Sequence, residues 1–162
     1  MYNHAPTDYV CPICLAANGI EDGRTQIAQS DIFYRDDLVM GFIRTKSIKG
    51  NEGHPLLVPV QHAENIFDLP NVVAHAIMDV AQQVALALKE TRKAAGVTLI
   101  QNNEPAGDQH AFHFHLHVIP RFENDRFHEE LWKSQKSASS DRKPYADELR
   151  TWFLDHTKDR LA

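Results

Sequence analysis

Three histidines alternate with apolar residues in the run His113-Phe114-His115-Leu116-His117-Val118-Ile119. On a strand over 112–120, the apolar side chains would enter the core and the three imidazoles would share the other face, about 6.6 Å apart. A row of this kind can attack, donate and accept protons near neutral pH. Two alternatives stay open. The three histidines could bind a metal directly, because His-x-His on a strand is a common ligand pair, or they could form an exposed polar face.

The chain has two cysteines, Cys11 and Cys14, separated by Pro-Ile. In a reducing compartment such a pair is more often a metal or redox site than a disulfide. A thioredoxin-like redox site requires a surrounding βαβ pattern, and none is visible here. The residues alone leave open a metal site and a pair of small buried side chains without a further role.

The composition is that of a globular protein, with 162 residues, 43% hydrophobic residues and a formal net charge of -5. This length predicts one domain over residues 1–162. The absence of a basic block argues against non-specific nucleic-acid binding. No apolar run approaches the roughly 18 residues of a membrane span, and the polar N-terminus does not resemble a signal peptide. We therefore predict a cytoplasmic protein that binds neither nucleic acid nor membrane.

The elements that must position these residues follow a pattern typical of α+β folds, an antiparallel sheet of about five strands packed on one long helix. Alternation and turn residues predict the strands at 31–34, 38–44, 56–60, 97–101 and 112–120. Helical spacing of apolar residues predicts the long helix at 71–95. The segment 134–143 is poor in hydrophobic residues and is predicted to be a mobile linker. A terminal helix is expected at 147–158.

The histidine run and its surroundings resemble the histidine-triad (HIT) family, in which the alternating motif is followed by Pro-Arg, here Pro120-Arg121. Further elements agree in order and spacing. They are Gly53-His54 before an apolar strand, His62, the loop 102–107, and Gln109 four residues before the first triad histidine. The resemblance runs from about Cys11 to Arg121. It implies a HIT-like fold with its core at approximately 11–121 and a helical C-terminal extension at 122–162.

The resemblance also implies a function: a nucleotide phosphohydrolase or nucleotidyl transferase that acts at the α-phosphate. His115 would be the nucleophile, oriented by a backbone carbonyl, and would form a covalent nucleotidyl-histidine intermediate. His117 would lie against the phosphate oxygens and Gln109 would donate to them. The expected substrates are nucleoside phosphoramidates, acyl-adenylates or dinucleoside polyphosphates. An alternative is a nucleotide-binding or sensing protein with little turnover.

Two further residues are assigned to the site by the same resemblance. His54 corresponds to a fourth active-site histidine, and Asn102 to a polar contact with phosphate or ribose. Structural roles stay open for both. His54 could be a strand-end histidine with a structural hydrogen bond, and Asn102 could stabilise its own turn.

Two departures from the family pattern concern the substrate. His110 stands where many relatives have a serine or threonine, so a role of that hydroxyl in proton delivery is in doubt. Arg44 stands near the position of an acidic residue that often binds the ribose hydroxyls, and arginine cannot accept hydrogen bonds from a diol. Either another residue supplies the acceptor, or the substrate is held differently and Arg44 meets an additional phosphate.

By resemblance to some prokaryotic relatives, Cys11, Cys14, His62 and His113 are expected to bind zinc. A Cys2His2 set closes the tetrahedron, so this metal would be structural. The family also implies a homodimer that pairs through the long helix and an edge strand. The long helix carries more apolar residues than one sheet face needs, namely Val73, Ile77, Val84 and Leu88.

Overall fold

The computed structural model describes residues 2–157 of the chain. The strands are β1 (Ile32–Arg35), β2 (Val39–Ile43), β3 (Lys46–Ser47), β4 (Pro55–Pro59), β5 (Gly96–Gln101), β6 (Leu116–Arg121) and β7 (Gln135–Lys136). The helices are α1 (Pro12–Ala17), α2 (Asn71–Thr91), α3 (Phe127–Glu130) and α4 (Ser139–Thr157), with short 3-10 turns at Gln29–Asp31, Pro105–Gly107 and Leu131–Lys133.

Five strands form an antiparallel sheet in the order β1-β2-β4-β6-β5, and β3 pairs with β7 in a separate two-residue ribbon. This confirms the predicted α+β fold of about five antiparallel strands with one long helix and a helical extension. Successive residues of β2 alternate between the two faces of the sheet. Val39 and Ile43 pack towards α2 and α4, whereas Met40 and Phe42 pack towards α1.

Helix α2 is long and apolar enough, by length and composition, to cross a membrane. Its apolar side is instead packed inside the protein against the sheet and α4. The buried residues of α2 are Val73, Ile77, Val80, Ala81, Val84, Ala87 and Leu88. This is the burial pattern of a core helix. The helix ends at Thr91, four residues before the predicted end, and Lys93 follows with a φ of 54°.

The prediction of a mobile linker at 134–143 is wrong. Residues 135–136 form β7, and α4 begins at Ser139, eight residues before the predicted start. The local composition is polar, but Arg142 is buried and forms an ion pair of 2.7 Å with buried Asp31. A contact between residues so distant in sequence leaves no local pattern, and it anchors the first turns of α4. The predicted last residue of this helix, 158, lies outside the described residues.

Helix α4 contributes to the same core as the sheet and α2. Its buried residues in that core are Ala146, Leu149, Trp152 and Phe153. Trp152 donates its indole N–H to Glu90 of α2 at 2.6 Å, which satisfies the one polar group of a side chain that is otherwise apolar. The C-terminal extension is therefore packed onto the sheet and helps to support the elements around the site.

Candidate functional site

A cavity of about 790 Å³ lies on the sheet face opposite α2 and α4. One row of paired residues crosses the sheet beneath it: Phe42 opposite Leu56, Leu56 opposite His117, and His117 opposite Ile100. All four line the cavity. The row places one imidazole between apolar side chains, which suits a ligand with a flat apolar part and a polar group that meets the histidine.

The histidine run is only partly a strand. Phe114, Leu116 and Val118 enter the core as predicted, but β6 begins at Leu116, so His113 and His115 precede it. The prediction of three imidazoles on one strand face is therefore wrong. The strand begins late because Pro59, at the end of β4, has no N–H with which to extend the hydrogen bonds between β4 and β6. Phe114 N donates to Ala63 O at 2.7 Å instead.

His115 is held in one orientation by its own backbone. Its Nδ1–H donates to the carbonyl of His113 at 2.8 Å, and the side chain is buried at the floor of the cavity. This hydrogen bond places the ring proton on Nδ1 and leaves Nε2 with a free lone pair. Burial lowers the pKa of His115, so the ring is neutral at physiological pH. A neutral imidazole with a free nitrogen is a competent nucleophile.

His54 and His117 form a second pair of imidazoles beside it. His54 Nε2 lies 3.1 Å from His117 Nδ1, and burial lowers the pKa of both rings well below the ordinary value. The buried Nδ1 of His54 has no partner among the described residues. An unpaired acceptor is tolerated more readily than an unpaired N–H. This favours donation from His54 Nε2–H, which puts the proton of His117 on Nε2, where it can be donated to a ligand.

The position of His54 depends on the preceding glycine. Gly53 has a φ of 65°, and a Cβ at this position would fall inside the ring of Tyr145 from α4. Arg92 donates to Gly53 O at 2.9 Å and lies 4.6 Å from the centre of the Tyr145 ring. Only glycine satisfies both the backbone conformation and the close approach. Helix α4 thus supports the turn that presents His54.

The predicted binding residues Asn102 and Gln109 differ in their placement. Asn102 lines the cavity, and its Nδ2 donates weakly to Asp108 O at 3.4 Å. Gln109 is buried outside the cavity lining. Its amide donates to Glu64 O and accepts from Glu104 N, at 2.6 and 2.7 Å. These bonds hold the loop that precedes the histidine run, and donation by Gln109 to a phosphate stays a prediction.

Arg44 follows β2 directly opposite His54, to whose carbonyl its N–H donates at 3.1 Å. Its side chain lines the cavity, and its buried Nη1 has no hydrogen-bond partner among the described residues. The positive charge of Arg44 contributes to the lowered pKa of His54, His115 and His117.

The C-terminal extension also supplies cavity residues that the sequence analysis missed, namely Leu131, Trp132, Ser134 and Lys136. They reach the site because β7 pairs with β3. Two strands of two residues each carry no recognisable periodicity, so no signal in the sequence could have identified this contact.

A second cluster lies on the other side of the histidine run. The Nδ1 and Sγ atoms of Cys11, Cys14, His62 and His113 all lie within 4.8 Å of one another. Cys11 Sγ is 3.3 Å from His113 Nδ1, Cys14 Sγ is 3.3 Å from His62 Nδ1, and the two Nδ1 atoms are 3.2 Å apart. The structure thus brings together the four residues predicted as zinc ligands.

These donors fit a tetrahedral metal. With metal–sulfur bonds of about 2.3 Å and metal–nitrogen bonds of about 2.0 Å, neighbouring donors of a zinc tetrahedron lie about 3.3 to 3.8 Å apart. His113 Nε2–H donates to Pro59 O at 2.9 Å, which leaves the lone pair of Nδ1 for the cluster. This orientation turns the His113 ring away from His115 and His117, so the structure does not gather the three triad histidines around one metal.

Comparison with known proteins identifies the family. The model of the HIT domain matches residues 25–124, which is more than half of the chain. The chain belongs to the HIT family. Protein hit of Bacillus subtilis is 27% identical over 101 residues, which cover 62% of this chain and 68% of that protein. The HIT assignment made from the histidine run is therefore confirmed.

Two further proteins are similar to this chain. Adenylylsulfatase HINT3 of Arabidopsis thaliana is 29% identical over 102 residues, covering 63% of this chain and 49% of that protein. A Zn-bound histidine triad family protein from Mycobacterium smegmatis has the same fold, with a TM-score of 0.73 and 24% identity. The match covers 92% of this chain and 96% of that one.

Proposed function

We propose that this HIT protein is a nucleotide phosphohydrolase or nucleotidyl transferase that acts at the α-phosphate through His115. The observation that carries the proposal is the hydrogen bond from His115 Nδ1–H to His113 O, which leaves Nε2 free at the floor of the cavity. A histidine with a purely structural role has no need of an unpaired nitrogen beside a cavity of this size.

In the proposed reaction, the lone pair of His115 Nε2 attacks the α-phosphorus and forms an N–P bond. The bond from phosphorus to the leaving group breaks, and its electron pair leaves with that group. Water then attacks the nucleotidyl-histidine, breaks the N–P bond and releases a nucleoside monophosphate, whereas an acceptor other than water gives transfer. The reaction replaces one difficult displacement by two easier ones.

The neighbouring residues have complementary roles in this proposal. His117 donates from Nε2–H to a phosphate oxygen, and His54 fixes that proton through the 3.1 Å contact with His117 Nδ1. Donors oriented in advance towards developing charge usually make the largest catalytic contribution. Asn102 contacts phosphate or ribose, and the apolar wall with Phe42 and Leu56 accommodates the base.

The alternative is a nucleotide-sensing protein with little turnover, and a substrate panel separates the two. We expect release of AMP from at least one of adenosine phosphoramidate, an acyl-adenylate, adenylylsulfate and diadenosine polyphosphates. Adenylylsulfate is included because the Arabidopsis relative is an adenylylsulfatase. Tight binding of these compounds without AMP release would favour the sensor. No metal takes part in the proposed chemistry, so chelator should leave the initial rate unchanged for as long as the structural zinc proposed below stays bound.

We also propose that Cys11, Cys14, His62 and His113 bind one structural zinc ion. The mutual distances of the four donors support this, as does the HIT protein from Mycobacterium smegmatis, which is Zn-bound. A closed Cys2His2 site leaves no position for substrate. The zinc would tie α1 to His113, whose carbonyl orients His115. A zinc site built on two thiolates would suit a reducing compartment, and the cytoplasmic location stays a prediction.

We further propose a homodimer that pairs through the outer edge of β5, which within residues 2–157 has a strand neighbour on one side only. The α2 residues first expected at this interface (Val73, Ile77, Val84 and Leu88) are buried in the core of the chain itself. The exposed apolar residues of these elements are Val72, Met78, Leu86 and Leu99. An open strand edge flanked by apolar side chains favours pairing.

Light scattering should give a mass near twice the 18.4 kDa of one chain at micromolar concentration. Leu99 is 44% exposed on β5, and Leu99→Lys should shift the mass towards one chain because charge at an edge opposes strand pairing. Lys89→Gln, an exposed change of charge near the end of α2, serves as the control. A wild-type mass near that of one chain would contradict the proposal.

A further inference from the structure

We propose that the cavity binds a nucleotide carrying a second phosphate group in addition to the one attacked by His115, and that Arg44, Lys46 and Lys136 hold this second phosphate. The inference rests on the proposed function in one respect: it takes the 5′-phosphate of the nucleotide to lie beside His115. It goes further by assigning three residues of this chain to a second phosphate, and it thereby favours doubly phosphorylated nucleotides over nucleotides with a single phosphate.

The first observation is the charge of the cavity wall. Four cationic residues line it, namely Arg24, Arg44, Lys46 and Lys136, against one carboxylate, Asp108. Arg24 already forms an ion pair of 2.6 Å with Asp22. The other three have no ion-pair partner among residues 2–157. In a chain with a net charge of -5, a wall with three unpaired cations favours an anionic ligand.

The second observation is how two of these cations face each other. Lys46 of β3 pairs directly with Lys136 of β7 in the antiparallel ribbon. Like charges directly opposite each other destabilise a strand pair. The ribbon has only two residues on each strand, and the contacts that flank it are Ser137 N–H to Thr45 O at 3.0 Å and Arg44 Nη2 to Ser134 Oγ at 3.5 Å. A phosphate bound between the two ammonium groups would remove that repulsion and stabilise the ribbon over the cavity.

The third observation is Arg44 itself. Its buried Nη1 has no hydrogen-bond partner among residues 2–157, its Nη2 reaches only Ser134 Oγ at 3.5 Å, and burial lowers the pKa of the guanidinium. A buried guanidinium with an unused N–H is costly unless a ligand satisfies it. Arginine matches a phosphate with two parallel hydrogen bonds and accepts none from a ribose diol. Arg44, which lies opposite His54, is thus suited to a phosphate and unsuited to free ribose hydroxyls.

A single phosphate would not use all of the hydrogen-bond donors and cations that line the cavity. The phosphate attacked by His115 carries one negative charge in an ester, amide or anhydride, and His117 with Asn102 already provides donors to it. Arg44, Lys46 and Lys136 remain for another anionic group. Two kinds of nucleotide carry such a group: one with a polyphosphate chain, and one with a phosphate on the ribose. Both present a second phosphate to these three residues.

Calorimetric titration with AMP, ADP and adenosine 3′,5′-bisphosphate tests the proposal without requiring turnover. We expect wild-type protein to bind at least one doubly phosphorylated nucleotide more tightly than AMP by about tenfold or more, which corresponds to about 1.4 kcal/mol. Preference for ADP identifies a phosphate chain as the source, and preference for the bisphosphate identifies a ribose phosphate. The preference should weaken with salt because Lys46 and Lys136 are exposed.

The double variant Lys46→Gln/Lys136→Gln and the single variant Arg44→Gln should each bring the affinity ratio close to one. Lys49→Gln, an exposed neighbour outside the cavity lining, is the matched control and should keep the wild-type ratio. The double variant changes only exposed residues, so it stays informative if Arg44→Gln does not fold. Equal affinities in the wild type, or a preference retained by the double variant, would overturn the inference. Absence of turnover with the preference intact would instead count against the proposed function alone.

Discussion

His115→Asn is expected to lower kcat by at least about 10³-fold, the scale associated with losing a covalent route. Asparagine keeps a polar N–H donor, but its amide nitrogen is not a nucleophile towards phosphorus. Because a nucleophile acts in the transition state, KM should change little. Initial rates over a range of substrate concentration, measured with the best substrate of the panel, separate the two parameters.

The same experiment has a chemical readout in the wild-type protein. Quenching under mildly alkaline conditions should trap label from the α-phosphate on His115, and the variant should trap none. His128→Asn is a suitable control because His128 is exposed and lines neither the cavity nor the cysteine cluster. Retention of more than about a tenth of wild-type activity by His115→Asn would rule out His115 as the nucleophile, since covalent routes contribute far more.

Cys14→Ser should have the largest effect on stability. Loss of a metal site ranks among the most destabilising single changes. A cost of about 4 kcal/mol would lower the melting temperature by about 8 to 16 °C in a chain of this size. Activity should fall only in part, because no proposed zinc ligand lines the cavity. Metal analysis of protein purified without added metal should find about one zinc per wild-type chain and little in the variant.

His115→Asn should show the opposite pattern, with zinc content and melting temperature close to those of the wild type. Bound zinc requires deprotonated ligands, so acidification should release it and lower the melting temperature of the wild type more than that of Cys14→Ser. If wild-type protein purified without added metal contains no zinc, has two titratable thiols and melts no higher after zinc is added, the four residues are not a zinc site.

Much of the candidate site was accessible from short patterns in the sequence. Alternation predicted correctly that Phe114, Leu116 and Val118 enter the core, because a strand period of two is local. The HIT resemblance selected Cys11, Cys14, His62 and His113 as one group, and the structure brings their donor atoms together. It also anticipated a backbone carbonyl behind His115. The core-facing residues follow from a local period, whereas the four cluster residues lie up to 102 residues apart and were grouped only through the family resemblance.

Gln109 shows that a residue's role cannot be assigned from its position in a family motif alone. Its position four residues before His113 matches the family pattern, yet its amide is occupied by backbone groups of the surrounding loops. The boundary of β6 was also misjudged, because it depends on Pro59 in a different strand. Neither fact is visible in the residues next to the motif.

The sequence by itself determined which side chains can do chemistry: alternating imidazoles, a thiol pair and a glycine that precedes a histidine. Only the tertiary structure decided which of these side chains belong to the cavity and which belong to the cysteine cluster. It turns His113 towards Cys11, 102 residues away, and His117 towards His54, 63 residues away, so one motif serves two sites. It also brings Lys136 opposite Lys46 and anchors α4 through Arg142 and Asp31. These contacts join residues far apart along the chain, and their energies come from burial and charge pairing after folding, which local periodicity does not record.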